Sequence, residues 1–117
     1  MEFNFEMNNH TWKVIELNTE KIINVYNKLS KEEDTIYVYG YTNYARHEIY
    51  INEDMCHDMK RKTLMHELMH CYKEEYVSLE LDNIDEETLC NISANSHYII
   101  HKILERYFKN ETNWKTI

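Results

Sequence analysis

The sequence has few of the residues that interrupt regular structure. Its 117 residues include one glycine and no proline, where average usage gives roughly 8 and 6. Collagen-like repeats, proline-rich linkers and glycine-rich phosphate-binding loops are therefore excluded. The chain also lacks a CxxC pair, because its three cysteines are far apart in sequence: Cys56, Cys71 and Cys90. Such an odd set favours free thiols in a reducing compartment over a disulfide framework.

Positive charge and long apolar runs are scarce as well. There are 13 Lys and Arg against 21 Asp and Glu, which gives a net charge of −8. An acidic chain repels phosphate backbones, so we expect no direct nucleic-acid partner. No apolar run approaches the roughly 18 residues of a membrane-spanning helix, and residues 1–6 lack the basic start of a secretory signal. We therefore expect a cytoplasmic protein with no membrane partner.

The N-terminal half of the chain predicts strands around one helix. Alternating apolar residues predict a hairpin over about 3–17, and an apolar stripe predicts an amphipathic helix from Thr19. β-Branched and aromatic residues predict strands over 35–39 and 48–52. We expect Gly40, the single glycine, to form a bulge or a turn that needs a positive φ.

The C-terminal half predicts two long helices. From Asn52 to about Tyr76 the chain has no glycine or proline, and apolar residues appear on several sides, as in a buried central helix. Another helix is predicted from Glu86 to about Phe108. Hydrophobic residues make up 43% of the chain, enough for one folded domain over residues 1–117. We predict an α+β fold in which a small, mostly antiparallel sheet of three or four strands packs on three helices.

The predicted central helix carries the pattern His66-Glu67-Leu68-Met69-His70. Residues at i and i+4 lie one above the other on a helix face, about 6 Å apart, so two imidazoles can reach one tetrahedral zinc ion. Glu67 would lie beside such a metal without binding it, where it can take a proton from a metal-bound water. His66 and His70 are therefore candidate zinc ligands, and Glu67 is the candidate catalytic base.

A catalytic zinc ion needs a third protein ligand and leaves its fourth position open to water. Glu87 is our first candidate, and Asn91, four residues on, can hydrogen-bond to a metal-bound histidine. Tyr98 falls about three helical turns after Glu87 on the same face and is a candidate for oxyanion stabilisation or substrate contact. Three other residues stay open as the third ligand: Glu86, His97 and His101. The remaining histidines have no partner at ligand spacing, and we expect them to be ordinary surface residues: His10, His47 and His57.

Two segments in combination resemble the ImmA/IrrE family of zinc metallopeptidases, in a small form of the kind carried by phages and mobile elements. Residues 63–70 contain the HExxH pattern. Residues 87–94 are similar to the family segment Glu-x-x-Ala-Asn-x-x-Ala, with Cys90 in a small-residue position. Lys73 and Tyr76 stand where a metzincin extension would need Gly and His, so that other zinc family is excluded.

The resemblance implies a minimal zincin-like, gluzincin-type fold with zinc held by His66, His70 and Glu87, and Glu67 as the base. It implies an intracellular peptidase with a specific protein or peptide substrate, and several family members cleave a repressor. In folds of this type an edge strand before the metal helix can pair with an extended substrate. We expect Glu48–Asn52 to be that strand.

A second hypothesis is a binding module without enzymatic activity. In this case the zinc ion is structural, and the small acidic domain inhibits a host protein by covering its surface. A closed site with four protein ligands would favour this hypothesis, because a catalytic zinc ion keeps a water.

Overall fold

The computed structural model describes residues 2–77 and 85–115, and side chains as far as Lys109. Its strands and helices are, in chain order, β1 (Glu2–Met7), β2 (His10–Leu17), α1 (Thr19–Ser30), β3 (Gly40–Asn43), β4 (Glu48–Asn52), α2 (His57–Tyr76) and α3 (Glu86–Lys115). These elements form the α+β fold that the sequence predicts. None of the described helices is long and apolar enough to cross a membrane.

The sheet has the strand order β1-β2-β4-β3. β1 and β2 form one antiparallel hairpin, β3 and β4 form another, and the two hairpins join through a parallel pairing of β2 with β4. The sheet is therefore mixed but mostly antiparallel, as predicted. Because β4 is paired on both sides, the expectation that Glu48–Asn52 is a substrate-binding edge is wrong. The edge strand beside it is β3.

The two faces of the sheet pack against different helices, because side chains alternate along each strand. On one face the core lies against α2 and α3, and its fully buried members include Phe5, Trp12, Ile49, Leu64, Leu68, Leu104 and Tyr107. On the other face, Ile22 of α1 is buried against Val38 and Tyr50. Burial of a large apolar side chain contributes roughly 1.5–3 kcal/mol, so these contacts fix α2 on the sheet.

A buried ion pair also ties α2 to the sheet. Lys60 Nζ contacts Glu16 Oε1 of β2, and both side chains are more than nine-tenths buried. Leaving one member of a buried pair uncompensated costs about 3–5 kcal/mol. The contact therefore favours a single register of α2 against β2.

The segment 35–39, predicted as a strand from its composition, is not one, since strand pairing begins at Gly40. Ile36 is 91% exposed, so the segment lacks the half-buried surface on which β-branched and aromatic residues favour strands. It is instead held to the end of β4 by Asn52, whose side-chain amide donates a hydrogen bond to the Val38 carbonyl at 3.0 Å.

The prediction that the central helix is buried on all sides is also wrong. Met59 and Met65 of α2 are 37% and 47% exposed, whereas Leu64 and Leu68 are fully buried. Only the face toward the sheet and α3 is covered. The exposed methionines border the clefts described below.

Gly40 has a negative φ and not the positive φ that we expected. Its role is close approach. A Cβ atom at Gly40 would lie 2.9 Å from Thr63 Cγ2 and 3.2 Å from both Glu67 Cγ and the Tyr50 carbonyl oxygen. The absence of a side chain therefore lets β3 pack directly on the part of α2 that carries Glu67.

Replacing Gly40 with alanine should lower the free energy of unfolding by about 1–3 kcal/mol, because overpacking a tight contact costs that much. Thr63→Ser removes the methyl group that the new Cβ would meet first, so Gly40→Ala combined with Thr63→Ser should recover part of the loss. Urea denaturation of both variants, with Thr63→Ser alone as the control, measures the effect. A Gly40→Ala protein as stable as the wild type would contradict the close approach.

Candidate metal centre

The two histidines of the HExxH pattern come together on α2. Their Nε2 atoms are 3.2 Å apart, and the ring planes cross at 78°. Two nitrogen ligands bound at 2.0–2.1 Å to one tetrahedral zinc ion are about 3.3 Å apart. The spacing of His66 and His70 therefore fits joint coordination of a divalent metal, as the helical i,i+4 argument predicts.

Glu67 points toward the edge of the sheet. Its side chain is buried, with 7% of the residue exposed, and its Oε2 atom accepts a hydrogen bond of 2.6 Å from the Thr42 hydroxyl of β3. A carboxylate taken out of water needs such a partner. Thr42 thus holds Glu67 between α2 and β3, one residue along the helix from His66.

Two surface clefts meet at Glu67. The His66 cleft, about 480 Å³, lies between residues 35–40 and α2 and is lined by His66, Glu67, Met59 and Tyr37, among others. The His70 cleft, about 530 Å³, is lined by His70, Glu67, Thr42, Tyr44 and others. The Glu67 side chain therefore borders both clefts.

Tyr44 in the His70 cleft is a site residue that the sequence did not reveal. Burial raises the pKa of its phenol, and the neighbouring Cys71 and Glu67 raise it further. The phenol therefore stays protonated at neutral pH and can donate a hydrogen bond. No motif marks Thr42 or Tyr44, because Thr42 reaches the cleft on β3 and Tyr44 in the turn that follows it, and not through spacing along the chain.

The predicted residues of α3 lie on its outer face. Glu87 and Asn91 are exposed, and Tyr98 is 64% exposed with Lys102 Nζ 4.6 Å from its ring centre. The helical period puts these three side chains on one face, as expected, but α3 packs on α2 through the opposite face, where Ile100 and other residues are buried. Glu87 as a ligand stays a prediction.

Within the described residues, no set of three His, Cys, Asp or Glu side chains with ligand atoms within 4.8 Å of one another includes His66 and His70. The residue of α3 that lines a small cleft with both histidines is Ile92. His97 and His101 line a larger cleft of about 720 Å³ between α2 and α3, the α3 cleft, which also includes His66. Two of the three alternatives for the third ligand, His97 and His101, therefore share a cleft with His66. The other, Glu86, is exposed at the start of α3.

A comparison with protein families identifies the family to which the chain belongs. The family model Peptidase M78, described as the IrrE N-terminal-like domain, matches residues 18–95. The chain belongs to this family. The resemblance to ImmA/IrrE proteins is thereby confirmed. No curated protein and no solved structure matches the chain significantly.

The part that matches the M78 family contains the histidine pair, Glu67, Glu87 and Asn91, and it ends before His97, Tyr98 and His101. It also includes the edge strand with Thr42 and the turn with Tyr44. All the residues that the fold brings to the two clefts at Glu67 therefore lie within the family match.

Cys71, also in the matched part of this M78 domain, belongs to the core and not to the site. Its thiol is buried, and burial raises its pKa well above the usual range, helped by the carboxylates of Glu67 and Glu75. A protonated, buried thiol is a poor nucleophile. Cys56 and Cys90 are exposed, and all three cysteines are free, as predicted.

Two of the other histidines acquire neighbours through the fold. His10 and His47, which have no partner at ligand spacing in the sequence, lie with Glu75 in a group whose ligand atoms are all within 4.8 Å of one another. We call this group the second histidine cluster. It is built from the start of β2, the β3–β4 turn and the end of α2, so spacing along the chain gives no sign of it.

Proposed function

We propose that this M78 domain is a zinc-dependent metallopeptidase that hydrolyses a peptide bond in a specific protein, a repressor or a host protein being the candidate substrates. The observation that supports the proposal most directly is the His66–His70 pair at metal-binding spacing beside a buried, hydrogen-bonded Glu67. Zinc bound there would polarise the scissile carbonyl and lower the pKa of a bound water to about 7.

Glu67 acts as the general base in this proposal. Its carboxylate takes a proton from the attacking water and then passes it to the amine of the leaving peptide. Thr42 occupies one carboxylate oxygen, Oε2, through its hydroxyl, which leaves Oε1 available for the transferred proton. Preorganisation of this kind avoids the free-energy cost of orienting the base during the reaction.

The substrate is proposed to bind along β3. This strand is at the edge of the sheet, and the clefts on both sides of it meet at Glu67. An extended peptide can add to such an edge by main-chain hydrogen bonds, with side chains in the adjacent clefts. In this proposal the scissile bond would lie over Glu67, and β3 would take the role that the family resemblance gave to Glu48–Asn52.

Glu67→Gln should leave the zinc content unchanged and lower peptide cleavage by at least about 100-fold, because the amide cannot accept the proton. The assay uses a peptide library made from a digested cell extract, with new termini read by mass spectrometry. Glu74→Gln, an exposed change on the same helix, is the matched control and should cleave normally.

Undiminished cleavage by Glu67→Gln would remove this residue from its role. A wild-type protein that holds zinc at His66 and His70 and cleaves no peptide would instead support the alternative, a zinc-containing module that binds and inhibits a host protein.

If Glu87 is the third ligand, Glu87→Gln should weaken zinc binding at the histidine pair by at least about 100-fold. Loss of a metal ligand should lower the zinc affinity at least as much as loss of a residue that only hydrogen-bonds to a ligand. The family match includes Glu87 and excludes His97, which favours Glu87. Competition with a chromophoric chelator measures the affinity, in a His10→Asn background that disables the second histidine cluster. Glu86→Gln tests the open alternative beside it, and Glu20→Gln, an exposed change on α1, is the matched control. Loss of affinity in His97→Asn, with Glu87→Gln unaffected, would place the third ligand in the α3 cleft.

Tyr44→Phe should lower kcat by about 100-fold, since removing one hydrogen-bond donor to a developing oxyanion has an effect of that size. Tyr44 lines the His70 cleft together with Glu67, whereas Tyr98 lies on the outer face of α3. Tyr98→Phe is therefore the matched control and should leave kcat unchanged. The measurement is steady-state cleavage of a peptide identified in the library. A large effect at Tyr98 with none at Tyr44 would return the oxyanion role to Tyr98.

A further inference from the structure

The second histidine cluster joins three separate parts of the fold. His10 is at the start of β2, His47 is in the turn between β3 and β4, and Glu75 is in the last turn of α2. His10 Nδ1 is 2.6 Å from Glu75 Oε2, and His47 Nε2 is 3.9 Å from Glu75 Oε1. Each oxygen of one carboxylate therefore faces a different imidazole.

The carboxylate of Glu75 is in a position that favours a cation. Its side chain is only 4% exposed, and it lies at the carboxyl end of α2, where the helix dipole disfavours negative charge. Among the described residues, the two ion-pair contacts of Glu75 are with His10 and His47. A divalent cation bound among these three side chains would neutralise the buried carboxylate.

The surrounding contacts hold the three side chains in place. His47 has a φ of 55°, its carbonyl oxygen accepts a hydrogen bond of 3.0 Å from the Lys13 N–H, and its ring packs 4.6 Å from that of Trp12. Asn8 Nδ2 donates a hydrogen bond of 3.0 Å to the Glu75 carbonyl, which docks the β1–β2 turn on the end of α2. The cluster is therefore fixed by the backbone of all three elements.

We infer that His10, His47 and Glu75 form a second site for a divalent metal of the zinc class. Two imidazole nitrogens and one carboxylate oxygen are a donor set that binds zinc. Their ligand atoms lie within 4.8 Å of one another, so shifts of up to about 1.5 Å would bring them to the roughly 3.3 Å spacing of two ligands on a tetrahedral zinc ion. His10 and His47 are 55% and 36% exposed in their side chains, so an ion can enter from solvent.

The site is separate from the proposed catalytic centre. His10 lies outside the segment that matches the M78 family, so the cluster is not built from that segment alone. A bound ion would clamp both hairpin turns to the end of the helix that carries the HExxH pattern. The chain would then hold two zinc ions when both sites are filled.

The test uses the full chain with His66→Asn and His70→Asn, which disables the first site. Titration of the metal-free protein with zinc chloride should give one ion per chain, with a dissociation constant of about 1 μM or below, by calorimetry and elemental analysis. Adding His10→Asn, His47→Asn or Glu75→Gln should each weaken binding at least 30-fold.

Trp12 fluorescence gives a second measure of zinc binding, because the Trp12 ring contacts His47. Its emission, read in a Trp114→Phe background, should change on addition of zinc and stay constant in the His47→Asn variant.

Two controls match these changes in charge and in number of imidazoles. Glu74→Gln alters the exposed neighbour of Glu75, and His97→Asn with His101→Asn removes another adjacent histidine pair. Both should leave the zinc affinity unchanged. Because His10 is half exposed, His10→Asn decides the matter even if Glu75→Gln fails to fold. The inference is overturned if the variant lacking His66 and His70 binds no zinc, or if His10→Asn and His47→Asn do not weaken its binding.

Discussion

The packing of β3 against α2 is the constraint on which the candidate site depends. Gly40 has no side chain, so the strand approaches the helix closely enough for the Thr42 hydroxyl to reach Glu67 Oε2. A larger residue at Gly40 would push the strand away from the carboxylate. The position of Glu67 is therefore fixed by a strand that is distant in sequence, while the spacing of His66 and His70 is fixed by the helix itself.

The helix α2 has an unusual buried face, because it combines apolar residues with partnered charges. Leu64, Leu68 and Cys71 are fully buried, and the side chains of Lys60, Glu67 and Glu75 on the same helix are buried as well. Each of these charges has a partner from a different part of the sheet: Glu16 on β2, Thr42 on β3, and the two histidines at the hairpin turns. A buried charge is tolerated only with such partners, so the polar contacts select one position of α2 on the sheet.

The M78 family match covers the histidine pair and Glu67, and the structure adds how they are held. The edge strand, the clefts that meet at Glu67 and the phenol of Tyr44 all belong to the matched segment. His10 lies outside the matched segment, and it reaches His47 and Glu75 through the β1–β2 hairpin. The metal chemistry proposed for this chain thus combines a centre shared with the family and a cluster that depends on the chain's own N-terminal strands.

The α+β class, the N-terminal hairpin, the two long helices and the pairing of His66 with His70 were all predictable from the residues. These features depend on local periodicity: apolar alternation gives the strands, and the i,i+4 spacing stacks two imidazoles on any helix. The contacts of Gly40, Thr42 and Tyr44, the central position of β4 and the meeting of His10, His47 and Glu75 became visible only in the folded chain. Each of these follows from strand order or helix docking, which bring together residues far apart in the chain. The segment 35–39 is the opposite case. Its composition predicted a strand, but in the fold strand pairing begins only at Gly40.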